Sequence, residues 1–254
     1  MEFQQIITAI FVSAAASLLG SFAILKRMAL VGDALSHVAL PGIALALIFH
    51  FNPFLGAIAF LAVAVFGIWL VEYQSKLSIE TIVGVFFAAS LALGAIITPD
   101  HELLEAMLGN ITTISRQESI VSIILSIFLI AVILKIRKKL ALNMVSQELS
   151  QSIGIENKQL ELVYLLIFAL AVALGIRFVG ALLMGSLVII PAASAKNIAK
   201  NLNSFMSLSV IFGVLAAILG IYFSQIYNLS PGPVFILISA GIFIVSMIMR
   251  KFVK

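Results

Sequence analysis

The chain has 254 residues, of which 63% are hydrophobic and only 10% are charged, and its mean hydropathy is +1.23. Globular proteins carry about 25% charged residues, so this composition excludes a soluble domain. The absence of cysteine excludes disulfides, iron–sulfur clusters and thiolate metal sites. The net charge of +4 comes from basic residues between apolar runs, where such residues orient a chain in a membrane.

Nine apolar runs approach the length of about 20 residues that a membrane-spanning helix needs. They lie at 3–25, 29–50, 53–73, 80–98, 117–136, 160–176, 178–195, 204–224 and 233–250. Arg177 and its neighbours alone separate the sixth run from the seventh, so a count of eight with one broken helix is the alternative. No basic region or cleavage site marks the first run as a signal peptide, so we expect it to be a permanent span. The sequence predicts an all-α, polytopic transmembrane bundle that forms one integral domain over residues 1–254.

The distribution of Lys and Arg predicts the orientation, because basic residues favour the cytoplasmic side. With the N-terminus outside, thirteen of the fifteen basic residues fall inside, and Arg116 and Arg177 are the exceptions. The acidic residues Asp100, Glu102 and Glu105 then fall outside. We therefore expect an external N-terminus and a cytoplasmic C-terminus.

The first run carries small residues at every fourth position, namely Ala9, Ser13, Ser17 and Ser21. Helices in lipid associate through such faces because their backbones can approach closely. This spacing predicts a packing face and needs no functional explanation.

The second run contains two ionisable residues, Asp33 and His37, at positions i and i+4 of the expected helix. Residues with this spacing share one helix face, and Ser36 lies beside them. Pro41 and Gly42 follow one turn later, and Pro41 leaves the His37 carbonyl without its helical donor. The sequence therefore predicts a kink or a break just past the pair.

Ionisable groups within a membrane are costly and usually have a role. A carboxylate and an imidazole one turn apart can both bind one divalent cation, such as Zn²⁺, Mn²⁺ or Fe²⁺. Two other interpretations stay open from the spacing alone. One is a structural Asp–His hydrogen bond between packed helices, and the other is a proton relay.

Other polar residues give weaker signals. His50, Asp100, His101 and Glu102 are candidates for an outer entrance that attracts cations, although an acidic loop facing water is the commoner explanation. Arg177 either neutralises a carboxylate or extends to the outer interface, and we favour the interface.

The segment from 143 to 155 is the most polar stretch of any length, and we expect a short cytoplasmic coupling helix near 143–158 that ends at Gly154. It is either a solvated loop helix or a docking element for a cytoplasmic partner. The sequence has no G-x-x-x-x-G-K-[ST] motif, so any ATP hydrolysis must occur on a separate subunit and the chain is not expected to be an enzyme.

Two segments resemble one known family. The segment 26–42, which includes Gly32-Asp33-Ala34-Leu35-Ser36-His37 and Pro41-Gly42, resembles the signature of the permease subunits of zinc, manganese and iron ABC importers, the ABC-3 type metal permeases. The segment 179–193 is similar to that family's second signature, although it is mostly apolar. The resemblance covers essentially the whole chain in order and spacing.

This resemblance implies a multi-pass protein of a bacterial or archaeal plasma membrane that pairs with a second copy of itself. It implies two cytoplasmic ATPase subunits that hold the ATP, and an extracytoplasmic protein that delivers the metal ion. No cofactor is expected to be bound permanently. Asp33 and His37 then belong to the metal path, and Ser146, Glu148 and Gly154 to the contact with the ATPase.

The chain departs from the family at two positions. Ser146 and Asn228 stand where the family often has acidic residues, which puts the ATPase contacts and a carboxylate at the outer mouth in doubt. Two other classes of function remain as alternatives. One is a transporter driven by an ion or proton gradient without an ATPase, and the other is a membrane scaffold in which Asp33 and His37 only pack helices.

Overall fold

The computed structural model describes residues 3–75, 77–97, 115–181 and 183–253, and within these ranges the chain is helical and contains no strand. The eleven helices in this part of the chain are α1 (Phe3–Leu25), α2 (Val31–Val38), α3 (Leu40–Ile48), α4 (Pro53–Gln74), α5 (Ile79–Ile97), α6 (Arg116–Val145), α7 (Gln147–Ser152), α8 (Asn157–Val179), α9 (Met184–Ile198), α10 (Leu202–Tyr227) and α11 (Pro231–Val253).

Eight segments of the described chain are long and apolar enough to cross a membrane, with α2 and α3 counted together. Of the nine predicted runs, only the seventh, which forms α9, is not among these eight segments. This helix has 15 residues and so a length of about 22 Å, which is less than the hydrocarbon core of about 30 Å. The predicted polytopic helical bundle is confirmed, with eight candidate spans and one shorter helix.

Two predicted boundaries are wrong. The sixth run does not end before Arg177, because α8 continues to Val179 and is stopped by Gly180, whose φ is +83°. Glycine has no Cβ and adopts this conformation without strain. The fifth run was expected to end at 136, but α6 continues through the basic cluster to Val145. Charges do not break a helix that projects out of the apolar layer.

The small-residue face of α1 packs as predicted. Its side chains are buried, and α1 lies against α10, α6 and α9. The Ser13 hydroxyl donates to the Gly213 carbonyl of α10 at 2.7 Å, and a Cβ added at Gly213 would collide with Ser17. The prediction of a close helix–helix contact on this face is confirmed.

Side-chain contacts show which helix termini lie together at each end of the bundle. At one end, which we call the basic end, Lys26 pairs with Glu161, Trp69 Nε1 donates to the Lys158 carbonyl, and Arg137 donates to Asn203. These contacts join the end of α1 and α4 to the start of α8, and the later part of α6 to the start of α10. At the opposite end Arg177 pairs with Glu118.

Candidate metal site

The helix that carries Asp33 and His37 is interrupted soon after them, as predicted. Helix α2 ends at Val38 and α3 begins at Leu40, with Pro41 in its first turn. Ala39 between them keeps helical torsion angles, and its N–H still donates to the Leu35 carbonyl at 3.2 Å. The interruption is therefore a kink in one span.

Within the described chain, His37 is buried and part of it is unpartnered. Its exposed fraction is 9%, and its Nδ1 atom has no hydrogen-bond partner among the residues that the structure describes. The ring packs edge-on against Phe87 of α5, with centroids 5.4 Å apart. A buried polar atom without a partner is costly, so it usually has a role that the protein chain alone does not show.

Ser36 fixes the position of α2 relative to the connection between α8 and α9. Its hydroxyl donates to the carbonyl of Ala181 at 2.6 Å and also lies 2.7 Å from the carbonyl of Asp33. Ala181 follows Gly180, where α8 ends. Backbone at a helix end has free carbonyls, and the hydroxyl satisfies one of them.

Asp33 lies beside the start of α9. A Cβ added at Gly185 would lie only 2.7 Å from the Asp33 Cβ and 2.9 Å from its Cα, so this contact requires glycine at 185. The positive end of the α9 dipole therefore lies next to Asp33, and it favours a negative charge there. Gly32 adds a second close contact, with Phe168 of α8.

These contacts bring together the two segments 26–42 and 179–193, which are far apart in sequence. Asp33 lies against the first turn of α9 and Ser36 against Ala181, whereas the His37 ring lies against Phe87 of α5. Sequence analysis missed this contact, because no local pattern links the two segments. The glycine at 185, within an apolar run, is the signal that could have indicated a close approach.

Around Asp33 and His37, the described residues of a single chain supply only part of a metal-ion coordination sphere. No group of three or more His, Asp or Glu side chains arranged to bind a metal ion occurs in the part of the chain that the structure describes. The pair offers one carboxylate and one imidazole, which are ligands for Zn²⁺ or Mn²⁺. Further ligands would have to come from water or another chain.

The structure does not bring His50, one of the candidate entrance residues, to this pair. His50 is exposed at the end of α3 with φ of +55°, and along the span it is about 20 Å from His37. Asp100, His101 and Glu102 lie outside the described residues.

Arg177 forms an ion pair with Glu118, and the two side chains are 35% and 29% exposed. The expectation that Arg177 only extends to the interface is therefore wrong, and the alternative of carboxylate pairing is correct. Glu118 also belongs to a capping box with Ser115 at the start of α6.

A short helix, α7, lies where the coupling helix is expected, but it is shorter than 143–158, because residues 143–145 belong to α6 and 157–158 to α8. Ser146 caps it by accepting a hydrogen bond from the Leu149 N–H at 3.1 Å. Gly154 ends it with φ of +79°, and its N–H and that of Ile155 close a Schellman motif. The predicted role of Gly154 as a terminator is confirmed. Glu148 is exposed.

Sequence analysis missed the apolar side of this segment. Val145, Leu149 and Ile153 are 82%, 51% and 61% exposed, and they recur at every fourth position. Val145 ends α6, Leu149 lies on α7 and Ile153 follows its last residue, so large apolar side chains are exposed along the whole segment, which is typical of a protein contact. The spacing is visible in the sequence and could have indicated this surface.

Lys26 also has a role that the sequence did not reveal. It pairs with Glu161 across α1 and α8, and the exposed fractions of the two side chains are only 9% and 19%. Its ammonium group lies 4.7 Å from the centre of the buried Tyr164 ring. Lys26 therefore joins these helices at the basic end.

Comparisons with known proteins agree with this arrangement. The family model described as "ABC 3 transport family" matches residues 1–250. The manganese transport system membrane protein MntC of Listeria monocytogenes is 30% identical over 249 residues, which cover 96% of this chain and 89% of that protein. The high-affinity zinc uptake system membrane protein ZnuB of Haemophilus influenzae is 31% identical over 255 residues, which cover 98% and 97%.

A solved structure is also similar. PsaBC from Streptococcus pneumoniae, determined in complex with a Fab, contains a chain that superposes with a TM-score of 0.84. The two sequences are 29% identical, and the match covers 96% of this chain and 89% of that one.

Proposed function

The chain belongs to the ABC 3 transport family, and we propose that it is the permease subunit of an ATP-driven importer of divalent transition metal ions, Zn²⁺ or Mn²⁺. The observation that carries this proposal is the unpartnered, buried Nδ1 of His37 one turn from Asp33, at the place where the two signature segments meet.

Asp33 and His37 are the metal ligands that we propose. A free imidazole nitrogen and a carboxylate one turn away on the same helix form a pair that can accept a cation. Asp33 and His37 share no hydrogen bond in the described chain, which argues against a structural Asp–His pair. Because zinc takes about four ligands, the remaining ones come from water or from the same pair in a second copy of the chain. We propose a homodimer for this reason.

The basic end faces the cytoplasm in this proposal. Positive residues favour that side, and α7 lies on it because α7 directly precedes the start of α8, where Lys158 and Glu161 lie. The N-terminus is then outside and the C-terminus inside. The opposite end receives the metal ion from an extracytoplasmic binding protein, near His50 and the segment with Asp100, His101 and Glu102.

Helix α7 is the contact with a separate ATPase subunit, on which ATP is hydrolysed. The exposed side chains Val145, Leu149 and Ile153 supply the apolar contact area. Ser146 and Gly154 define the two ends of the helix, and Glu148 supplies a charge at its rim. Movement of the ATPase would reach the membrane helices through α6 and α8, which flank α7.

Reconstitution into proteoliposomes with the partner ATPase, followed by Mn²⁺ and Zn²⁺ uptake, tests the proposal. We expect Asp33→Asn and His37→Ala to lower uptake at least about 10-fold while the complex still assembles. Glu80→Gln, which makes the same chemical change at an exposed carboxylate of α5, is the matched control and should leave uptake unchanged. Normal uptake in both site variants would make the pair structural.

The same vesicles separate this function from a gradient-driven transporter. Uptake should require ATP and the ATPase, and a pH gradient alone should give none. Uptake by the permease alone in response to a pH gradient would overturn the ABC importer proposal.

A further inference from the structure

A cavity of about 430 Å³ opens at the basic end between α1, α9 and α11. Three basic side chains line it, from Lys196, Lys200 and Arg250. Beside them Asn197 Nδ2 donates to Ser246 Oγ at 2.9 Å and joins α9 to α11. The volume is within the range of about 300–1,000 Å³ that is typical of small-molecule sites.

Within the part of the chain that the structure describes, no acidic side chain balances the positive charge of this cavity. No acidic side chain is among its lining residues, and the ion pairs found in the described ranges involve Lys26 and Arg177 instead. Like charges that converge on one space repel each other, and a bound anion offsets this repulsion. The general preference of basic residues for one membrane face accounts for their presence at this end, but not for their convergence on one cavity.

A second cavity, of about 380 Å³, adjoins the first and shares Lys196, Ala199 and Lys200 with it. Its other lining residues are mainly apolar, and they include Leu25, Met144 and Phe205. The N-terminus of the 26-residue helix α10 opens into it at Leu202. This second cavity is therefore mostly apolar, apart from the two lysines that it shares with the first.

We propose that these two cavities form a binding site for an anionic phospholipid. The phosphate group lies among Lys196, Lys200 and Arg250, and the first part of an acyl chain lies in the apolar cavity. Basic pockets between membrane helices bind such headgroups. A free phosphate ion would use the basic cavity alone, so the adjoining apolar cavity favours the lipid as the source of the phosphate.

Lipid retention by the full chain, purified in detergent, tests this proposal by native mass spectrometry. The probes are phosphatidylglycerol, phosphatidylcholine and inorganic phosphate. The test variant carries Lys196→Gln, Lys200→Gln and Arg250→Gln. The control variant carries Lys138→Gln, Lys139→Gln and Lys251→Gln, which remove the same charge from residues of the same end that line neither cavity.

Wild type and control should bind one phosphatidylglycerol in preference to phosphatidylcholine. Each of the three basic cavity residues should strengthen phosphatidylglycerol binding about five-fold. The triple cavity variant should therefore bind this lipid about 100-fold more weakly than wild type. Equal losses in both triple variants would overturn the proposal, because they indicate a general surface effect. Displacement of the lipid by millimolar inorganic phosphate would also overturn it, because it indicates a free-anion site.

A second measurement does not depend on mass spectrometry. Phosphatidylglycerol should raise the melting temperature of wild type and control, but not that of the cavity variant. Without lipid, the cavity variant should be at least as stable as wild type, because it lacks the charge repulsion. If the triple variant fails to fold, Lys200→Gln alone should show the five-fold loss, and an unchanged affinity in this single variant would overturn the proposal.

Discussion

Substituting Gly185 by alanine tests the contact on which the proposed metal site depends. The new Cβ would lie 2.7 Å from the Asp33 Cβ, 2.9 Å from its Cα and 3.0 Å from its N. Ordinary carbon contacts begin near 3.5 Å, so α9 and α2 must separate by about 0.8 Å. Two of these atoms are backbone atoms, so no change of side-chain rotamer relieves the clash.

Overpacking of this kind costs about 1–3 kcal/mol. For a chain of about this size, each kcal/mol lowers the melting temperature by about 2–4 °C, so we expect a decrease of about 2–12 °C. Because the separation moves Asp33 relative to the rest of the site, metal uptake should fall at least about 10-fold.

Thermal melting in detergent and Mn²⁺ uptake in proteoliposomes measure the two effects. Gly84→Ala in α5 is the matched control, because a Cβ there meets no atom within 4 Å. It should be neutral or stabilise the helix by up to about 1 kcal/mol. If Gly185→Ala melts and transports like Gly84→Ala, the close approach of α9 to Asp33 is not a feature of the protein.

Three further outcomes are expected. Lys26→Met leaves Glu161 buried without its partner and should destabilise the chain by about 3 kcal/mol in thermal melting, whereas Lys26→Met with Glu161→Gln should recover most of this loss. If the double variant melts no higher than Lys26→Met alone, the loss of stability does not come from the broken ion pair. Arg177→Met removes a pair that is about one-third exposed, so the change in melting should correspond to about 1 kcal/mol or less, and a larger effect would contradict a surface role. Leu149→Asp should weaken copurification of the ATPase at least about 10-fold without changing the melting of the permease, and normal copurification would exclude α7 as the contact.

The sequence predicts the spans well, because each depends on local composition. The kink near 39 follows from Pro41, and the small-residue face of α1 follows from a spacing of four. The terminator role of Gly154 was also predictable, since a glycine after a polar segment commonly ends a helix.

The errors arise where a tertiary contact decides the result. Arg177 was expected to interrupt a span, but Glu118 from a distant helix pairs with it, so α8 continues past it. The hydrogen bond from Ser36 to Ala181 joins residues 145 positions apart, and no local periodicity contains that information. Asp33 and His37 can be singled out by their chemistry, and their role as metal ligands stays a prediction, whereas the close approach of α9 to Asp33 could not be predicted.

The shortness of α9 gives the site an electrical property. A membrane voltage falls across a hydrocarbon core of about 30 Å, but α9 extends only about 22 Å from its start beside Asp33 to its end at Ile198. If the ion reaches Asp33 from the opposite end, it has crossed about a quarter of the voltage by then. At about 2.3 kcal/mol per charge for 100 mV, this fraction amounts to about 1 kcal/mol for a divalent cation. For the proposed site and orientation, the membrane potential would strengthen occupancy by a divalent cation about five-fold relative to a vesicle without a voltage.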